Sequence, residues 1–191
     1  MTEAEWLNDS RLYAMLDHVV ALARPRKWRL LACGLLRLRW GTISPGAHRA
    51  VKAAERYADG DATLRELNEA ADGCEWYTFG PDRELWQRVP YVVEDSQRAG
   101  TPSAVLAELI RDVFGNPFRP LVKAPRAWLS STVTALARGI YDHRAFDRMP
   151  ILADALQDAG CGDERVVSHC LDPAGRHARG CWVLDLILGK K

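Results

Sequence analysis

The residues best suited to chemistry lie close together in the stretch HCLDPAGRHARGCW, residues 169–182. This stretch holds two of the chain's five histidines and two of its five cysteines, and a third cysteine lies upstream at residue 161. Thiolate and neutral imidazole are favoured zinc ligands, and a structural zinc ion takes about four ligands in a tetrahedron. The sequence therefore indicates one candidate structural zinc site, with at most about four ligands drawn from Cys161, His169, Cys170, His177 and Cys181. If His177 and Cys181 lie on one helical turn, they share a face of that helix.

Two other interpretations of the same residues stay open. The stretch has no C-x2-C pair, the strong sequence signal for zinc, so its cysteines can equally be small buried side chains of the core. A Cys–His nucleophile can also be drawn, with His177 activating Cys170 or Cys181 and with Asp172 or Asp185 orienting the imidazole. No glycine-rich nucleophile turn or protease signature surrounds these residues, so we name no catalytic residue.

A basic segment forms a second candidate site. The net charge is only +1, but the charges are unevenly distributed: residues 24–52 hold eight basic and no acidic residues, whereas residues 55–75 hold seven acidic and two basic ones. A cluster of cations can bind the phosphates of a nucleic acid. The candidate residues for this are Arg26, Lys27, Arg29, Arg37 and Arg39. The acidic segment can instead neutralise the basic one within the fold.

Hydrophobic periodicity predicts an all-α fold, an irregular bundle of about seven to nine short helices. Apolar residues recur at helical spacing over residues 3–23, 26–40, 102–114 and 129–141, and helices are also predicted from Ser44 to Gly60, from Thr63 with its Glu66 capping box to Ala71, and from Asp147 to Gly160. Asp9 or Ser10 is a plausible cap within the first of these segments. Pro90 is expected to interrupt any long helix between residues 73 and 100. The final CWVLDLILG is assigned as helix because the chain offers no partner for a strand.

The length of 191 residues suits one core or two small subdomains in contact. Three prolines in residues 115–128 predict an extended connector, which divides an N-terminal helical part (1–115, with the basic helix 26–40) from a C-terminal helical module (116–191, with the Cys/His cluster). One continuous domain is the alternative. No apolar run approaches the roughly 20 residues that span a bilayer, and MTEAEWLNDS lacks the character of a secretory signal. We therefore expect a cytoplasmic protein without a membrane partner.

Several stretches resemble one protein family. Those that look like its C-terminal module are RDVFGNPFRP, LARGIYDHRAFDRMPILADALQDAGC, the HC pair and GRHARGCWVLDLILGK. The family consists of uncharacterised proteins of planctomycetes such as Gemmata, some of them labelled as related to the SMI1/KNR4 group. Its N-terminal part is similar to MTEAEW, RKWRLLACGLLRLRW and RAVKAAERYADG. All five candidate zinc ligands stand where the family pattern has the same residue type. The resemblance implies a bacterial protein and no particular activity.

These observations favour a non-catalytic helical module that binds another macromolecule, with or without one structural zinc. The expected partner is another protein, bound through the basic helix, the aromatic segment 73–100, or both. A nucleic-acid-binding protein that uses the helix at residues 24–39 is the first alternative. A small enzyme that depends on Cys170, His177 and Cys181 is the second.

Overall fold

The computed structural model describes residues 1–21, 24–72, 74, 85–121, 123–173 and 175–190. Within these ranges the protein is all-α, as predicted, and contains no β-strand. Its helices are α1 (Glu3–Asn8), α2 (Leu12–Val19), α3 (Pro25–Arg37), α4 (Pro45–Ala58), α5 (Leu64–Ala71), α6 (Leu85–Arg98), α7 (Ser103–Phe114), α8 (Ser131–His143), α9 (Met149–Asp158), α10 (Glu164–Leu171) and α11 (Trp182–Leu188). Short 3-10 helices lie at Arg126–Trp128 and Phe146–Arg148. Part of the predicted aromatic segment 73–100, namely residues 73 and 75–84, lies outside the described residues.

The described residues contain 11 α-helices, more than the seven to nine expected, and one reason is that the first predicted helix is divided into two. The carboxylate of Asp9 accepts hydrogen bonds from the backbone N–H groups of Ser10, at 2.7 Å, and Arg11, at 3.2 Å. Such a local bond competes with the helical pattern, so α1 ends at Asn8 and α2 begins at Leu12. The prediction of Asp9 or Ser10 as the cap was wrong, since the residue before α2 is Arg11 and its side chain makes no capping bond.

The expectation that Pro90 interrupts a long helix was also wrong. Helix α6 runs through Pro90 without a break and packs against α3. Proline costs about 3 kcal/mol in a helix interior, but burying a valine side chain contributes roughly 1.5–3 kcal/mol. Val89, Val92 and Val93 are all buried beside Pro90. Packing therefore outweighs the lost backbone hydrogen bond.

The predicted helix ends gave mixed results. Ser44 caps α4, and Thr63 with Glu66 forms the predicted capping box of α5. Asp147 does not cap α9, because it lies inside the 3-10 helix that precedes it, and Arg148 takes the capping position without a side-chain bond.

The interior consists of two clusters of buried apolar side chains. The first lies within residues 6–113 and also includes Ala178, and the second lies within residues 133–187. Helix α3 is central to the first cluster, since every residue from Trp28 to Leu36 is buried. None of the helices in the described ranges combines the length and apolarity needed to cross a bilayer.

Buried charges join α3 and the residue after α4 to the C-terminal helices. The Arg26 guanidinium contacts Asp59 at 3.0 Å and Asp185 of α11 at 2.7 Å, and it donates to the hydroxyl of Tyr141 in α8 at 2.7 Å. The Tyr141 hydroxyl in turn donates to Asp59 at 2.8 Å. Asp59 and Asp185 are almost completely buried, so these contacts are shielded from water and fix α11 against α3.

Candidate metal centre

Four side chains that can bind a metal converge where the two hydrophobic clusters meet. Asp112 belongs to α7, His169 to α10, His177 to the connection between α10 and α11, and Cys181 immediately precedes α11. One ligand atom from each residue can be chosen so that all four lie within 4.8 Å of one another. We call these four side chains the metal-binding group. It links a helix of the N-terminal part to three positions of the C-terminal module.

The distances within the metal-binding group fit one tetrahedral ion. Oδ1 of Asp112 lies 2.8 Å from Nδ1 of His177 and 3.2 Å from Nε2 of His169. The sulfur of Cys181 lies 3.2 Å from Nε2 of His169 and 4.0 Å from Nδ1 of His177. A zinc ion with bonds of about 2.0–2.3 Å separates its ligand atoms by about 3.3–3.8 Å. Small adjustments of the side chains would therefore suffice to surround the ion.

Burial and charge in this group favour a cation. The Asp112 and His177 side chains are 3% and 4% exposed, Cys181 is completely buried, and His169 is 20% exposed. Burial would raise the pKa of Asp112, but hydrogen bonds and ionic contacts with both histidines outweigh it and lower the pKa to about 2. The carboxylate is thus ionised at neutral pH. Burial, together with this carboxylate, raises the pKa of the Cys181 thiol well above its usual value. A metal ion would displace the thiol proton on binding.

Contacts outside the group hold its ligands in place. Oδ2 of Asp112 accepts a hydrogen bond from the backbone N–H of Ala178 at 2.9 Å, which leaves Oδ1 facing the two imidazoles. The Lys27 ammonium donates to the backbone carbonyls of Val113 at 2.9 Å and Gly180 at 2.7 Å. These two residues are the chain neighbours of Asp112 and Cys181. Lys27 therefore binds the backbone next to Asp112 and next to Cys181. Supporting contacts of this kind orient metal ligands.

Two glycines allow the connection between α10 and α11 to pass close to its surroundings. Gly180 has a φ of +92°, and a side chain there would bring its Cβ to 3.0 Å from Cβ of Leu30. A Cβ on Gly175 would lie 3.0 Å from the carbonyl oxygen of Asp172 and 3.2 Å from Nε2 of His177. These distances are tighter than most real Cβ contacts, so a side chain at either position would force its neighbours to shift by a few tenths of an ångström. The sequence thus uses glycine where the backbone must approach α3 and the His177 ring.

Three of the five predicted ligands are brought together, and two are not. His169, His177 and Cys181 belong to the metal-binding group. Cys161 and Cys170 lie outside it and pack in the second hydrophobic cluster, where burial raises the pKa of Cys170 to about 12. His177 and Cys181 do not share a helical turn, because His177 lies in an irregular connection and Cys181 is the residue before α11.

Sequence reasoning missed Asp112, which stands 65 positions before its partner His177. The available signal was an aspartate on the buried side of an amphipathic helix, next to Val113 and three residues after Leu109. An acidic side chain in that position requires a partner. Without knowledge of how α7 packs, that signal did not indicate which partner.

The geometry does not assemble the predicted Cys–His–Asp nucleophile. His177 is oriented by Asp112, and Asp185 is held by Arg26 at 2.7 Å and Lys27 at 2.6 Å. Cys181 is fully buried and its raised pKa keeps the thiol protonated when no metal is bound. A nucleophilic cysteine needs a thiolate with access to substrate, so these residues are poorly suited to that chemistry.

The predicted cations of the basic helix are engaged inside the protein. The contacts are Arg26 with Asp59 and Asp185, Lys27 with Asp185, Arg37 with Glu55, and Arg39 with Asp95. Arg29 is buried, with its guanidinium carbon 4.8 Å from the centre of the Tyr57 ring. The acidic segment supplies two of these carboxylates, in agreement with internal neutralisation. The arrangement speaks against the alternative of nucleic-acid binding through these residues.

The chemistry available to the group follows from its donor set of one carboxylate, two imidazoles and one thiol. No protein-family model, curated protein or solved structure matches this chain. Mixed nitrogen and sulfur donors in a tetrahedron suit zinc, whereas calcium and magnesium require oxygen donors. The buried group could thus hold a metal ion, and its donors resemble those of known zinc sites in type.

Proposed function

We propose that the protein is a non-catalytic helical binding module whose two parts are fastened together by one structural zinc ion. The ligands would be Asp112, His169, His177 and Cys181. The observation that carries this proposal is the convergence of their four ligand atoms, within 4.8 Å of one another, from both sides of the junction. The supporting bonds from Ala178 to Asp112 and from Lys27 to the neighbouring carbonyls strengthen it.

A structural role is favoured over a catalytic one by the number and burial of the ligands. Catalytic zinc sites keep one coordination position open for water or substrate, whereas structural sites take about four protein ligands. The metal-binding group supplies a complete set, and three of its four side chains are nearly inaccessible. An ion held in this way would contribute folding free energy rather than bind a substrate.

A binding role is supported by a cleft beside the metal-binding group. The cleft has a volume of about 1450 Å³, and its wall includes Trp6, Gly115, His169 and Trp182. We call it the junction cleft. Small-molecule sites usually measure about 300–1,000 Å³, so a site of this size suits a segment of another protein. The zinc would fix the walls of the cleft, because Asp112 belongs to one side and the other ligands to the opposite side.

The proposal is tested by the metal content of untagged protein, measured by mass spectrometry under native conditions. We expect about one zinc per chain, and we expect Cys181→Ser, His177→Ala and Asp112→Asn each to abolish it. Cys161→Ser is the matched control, since Cys161 lies outside the group and its variant should keep the ion. Wild-type protein that is fully folded, metal-free and unresponsive to added zinc would contradict the proposal.

A further inference from the structure

The junction cleft combines apolar walls with exposed leucines from both parts of the molecule. Leu7 of α1 is 50% exposed and Leu171 of α10 is 45% exposed, and both line the cleft. Phe114 and Trp182 line it as well. Apolar side chains gathered in a concave, polar-rimmed surface are typical of sites that bind another protein. The cleft can thus accept apolar side chains from a partner.

The charges of the junction cleft are predominantly positive. Among the described residues, six cationic and three acidic side chains line it. The cations are Lys27, Arg111, Arg119, Lys123, Arg165 and Lys190. This excess of cations attracts a partner that carries carboxylates and repels a basic one.

Ion pairs with carboxylates reduce this excess, because four of the cations already have acidic partners. These contacts are Arg119 with Glu3, Lys27 with Asp185, Arg165 with Asp163 and Lys190 with Asp59. The side chains of Arg119 and Arg165 are nevertheless 65% and 40% exposed, so they can also face a partner. Arg111 donates to the backbone carbonyls of Trp6 and Asp9, and bonds to these neutral groups leave its charge in place. Lys123 is exposed to solvent on the same wall.

We infer that the junction cleft binds an acidic peptide segment of a partner protein that also carries large apolar side chains. The apolar side chains would pack against Leu7 and Leu171, and the carboxylates would face Arg119, Lys123 and Arg165. This inference rests on the proposed function, because the zinc would hold the two walls at a fixed separation. A nucleic acid would make little use of the apolar walls, and a membrane surface would not enter a concave site.

A peptide library displayed on phage, screened against the zinc-loaded full chain, tests the inference. We expect enrichment of peptides that combine Asp or Glu with Leu or Phe, and we expect their binding to weaken as salt is added. The double variant Arg119→Glu/Lys123→Glu should weaken the best peptide by about tenfold or more, because opposite charges would become like charges. Leu171→Ser should weaken it by a similar factor through loss of apolar contact.

Matched controls come from an exposed cation and an exposed leucine that do not line the cleft. Lys52→Glu on α4 and Leu64→Ser on α5 should leave peptide affinity unchanged. The inference is overturned if no peptide is enriched, if the enriched peptides lack acidic residues, or if the cleft variants bind them as wild type does. Tighter binding of single-stranded DNA or anionic vesicles than of any peptide would also overturn it.

Zinc content measured on the same samples separates the two proposals. Protein that holds zinc but enriches no acidic peptide would contradict the cleft assignment and leave the zinc site standing. Protein that binds acidic peptides through Arg119, Lys123 and Leu171 while metal-free and unresponsive to added zinc would support the cleft assignment and contradict the zinc site.

Discussion

Nδ1 of His177 lies 2.8 Å from Oδ1 of Asp112, although 65 positions separate the two residues in the chain. His177 belongs to an irregular connection of the C-terminal module, and Asp112 to a helix of the N-terminal part. The contact therefore spans the junction between the two hydrophobic clusters. With His169 and Cys181 beside it, the pair forms half of the ligand set that we propose for zinc.

Asp112, the proposed ligand that lies outside the Cys/His stretch of the sequence, provides the first prediction. Asp112→Asn should weaken zinc affinity at least about 100-fold, because changes to residues that only support a ligand already cost about 10–100-fold. A competition titration with a fluorescent chelator measures this. Glu108→Gln, on the same helix but partly exposed, is the control and should behave as wild type. An unchanged affinity in Asp112→Asn would remove Asp112 from the ligand set.

The second prediction concerns metal removal. A ligand that binds only the folded state stabilises it by about 4 kcal/mol when its free concentration is about 1,000 times its Kd. In a domain of this size that corresponds to a rise in Tm of roughly 10 °C. Thermal unfolding with zinc and with a strong chelator should show this difference in wild type and in Cys170→Ala. The His177→Ala variant should show none, and a response equal to that of wild type would count against the site.

Lys27 is the subject of the third prediction. Lys27→Met removes the donor to the Val113 and Gly180 carbonyls and one cationic contact of the buried Asp185. Leaving buried polar groups without a partner costs about 1–3 kcal/mol, so the free energy of unfolding in urea should fall by at least this amount. Lys52→Met, an exposed substitution on α4, should change it by less than about 0.5 kcal/mol. Equal free energies of unfolding for the two variants would show that the Lys27 contacts do not stabilise the protein.

Gly180 gives a prediction with an internal control. Gly60 and Gly180 both have positive φ, +82° and +92°, but a Cβ on Gly60 would meet nothing within 4 Å. Changing either to alanine should cost about 1 kcal/mol for the left-handed backbone. Gly180→Ala should cost more and should also weaken zinc binding, because its Cβ would press on Leu30 and move the adjacent Cys181. Urea unfolding and zinc titration of the two variants measure the difference, and identical costs would contradict it.

The buried Asp59 predicts a dependence of stability on pH. Burial would raise its pKa, but the Tyr141 hydrogen bond and the Arg26 and Lys190 charges outweigh it, so the pKa lies below its usual 3.8. A carboxyl group whose pKa is lowered by folding stabilises the protein above the unfolded-state value, and this contribution is lost as pH falls through the folded value. The stability difference between wild type and Asp59→Asn should thus be constant above about pH 5 and shrink below about pH 4. A stability difference that grows as the pH falls would show that folding raises the pKa of Asp59 instead of lowering it.

Local patterns in the sequence were sufficient for the fold class and for part of the site. Apolar spacing indicated helices such as α3, α4 and α7, because amphipathic periodicity depends only on neighbouring residues. The clustering of His169, His177 and Cys181 drew attention, for a similar reason, to the stretch that supplies three members of the metal-binding group. These three residues are close in the chain, so no knowledge of tertiary structure was needed to group them.

Features set by tertiary packing could not be predicted in this way. Asp112 reaches the other ligands only because α7 packs beside the connection before α11, and no local pattern encodes that contact. Pro90 lies in a continuous helix because the buried valines around it outweigh its intrinsic cost. The buried ion pairs of Arg26 and Lys27 likewise depend on Asp185, which is distant from them in the chain.

Arg179 stands between the ligands His177 and Cys181, and its guanidinium contacts the buried Asp59 at 3.5 Å. One short piece of backbone is therefore held by a metal-binding group on one side and by an ion pair on the other. A chelator acts on the first attachment and the Asp59→Asn substitution on the second, so neither change alone releases the segment. Amide hydrogen exchange at residues 177–181 should consequently stay slow after either change and accelerate sharply when the chelator is added to the Asp59→Asn variant.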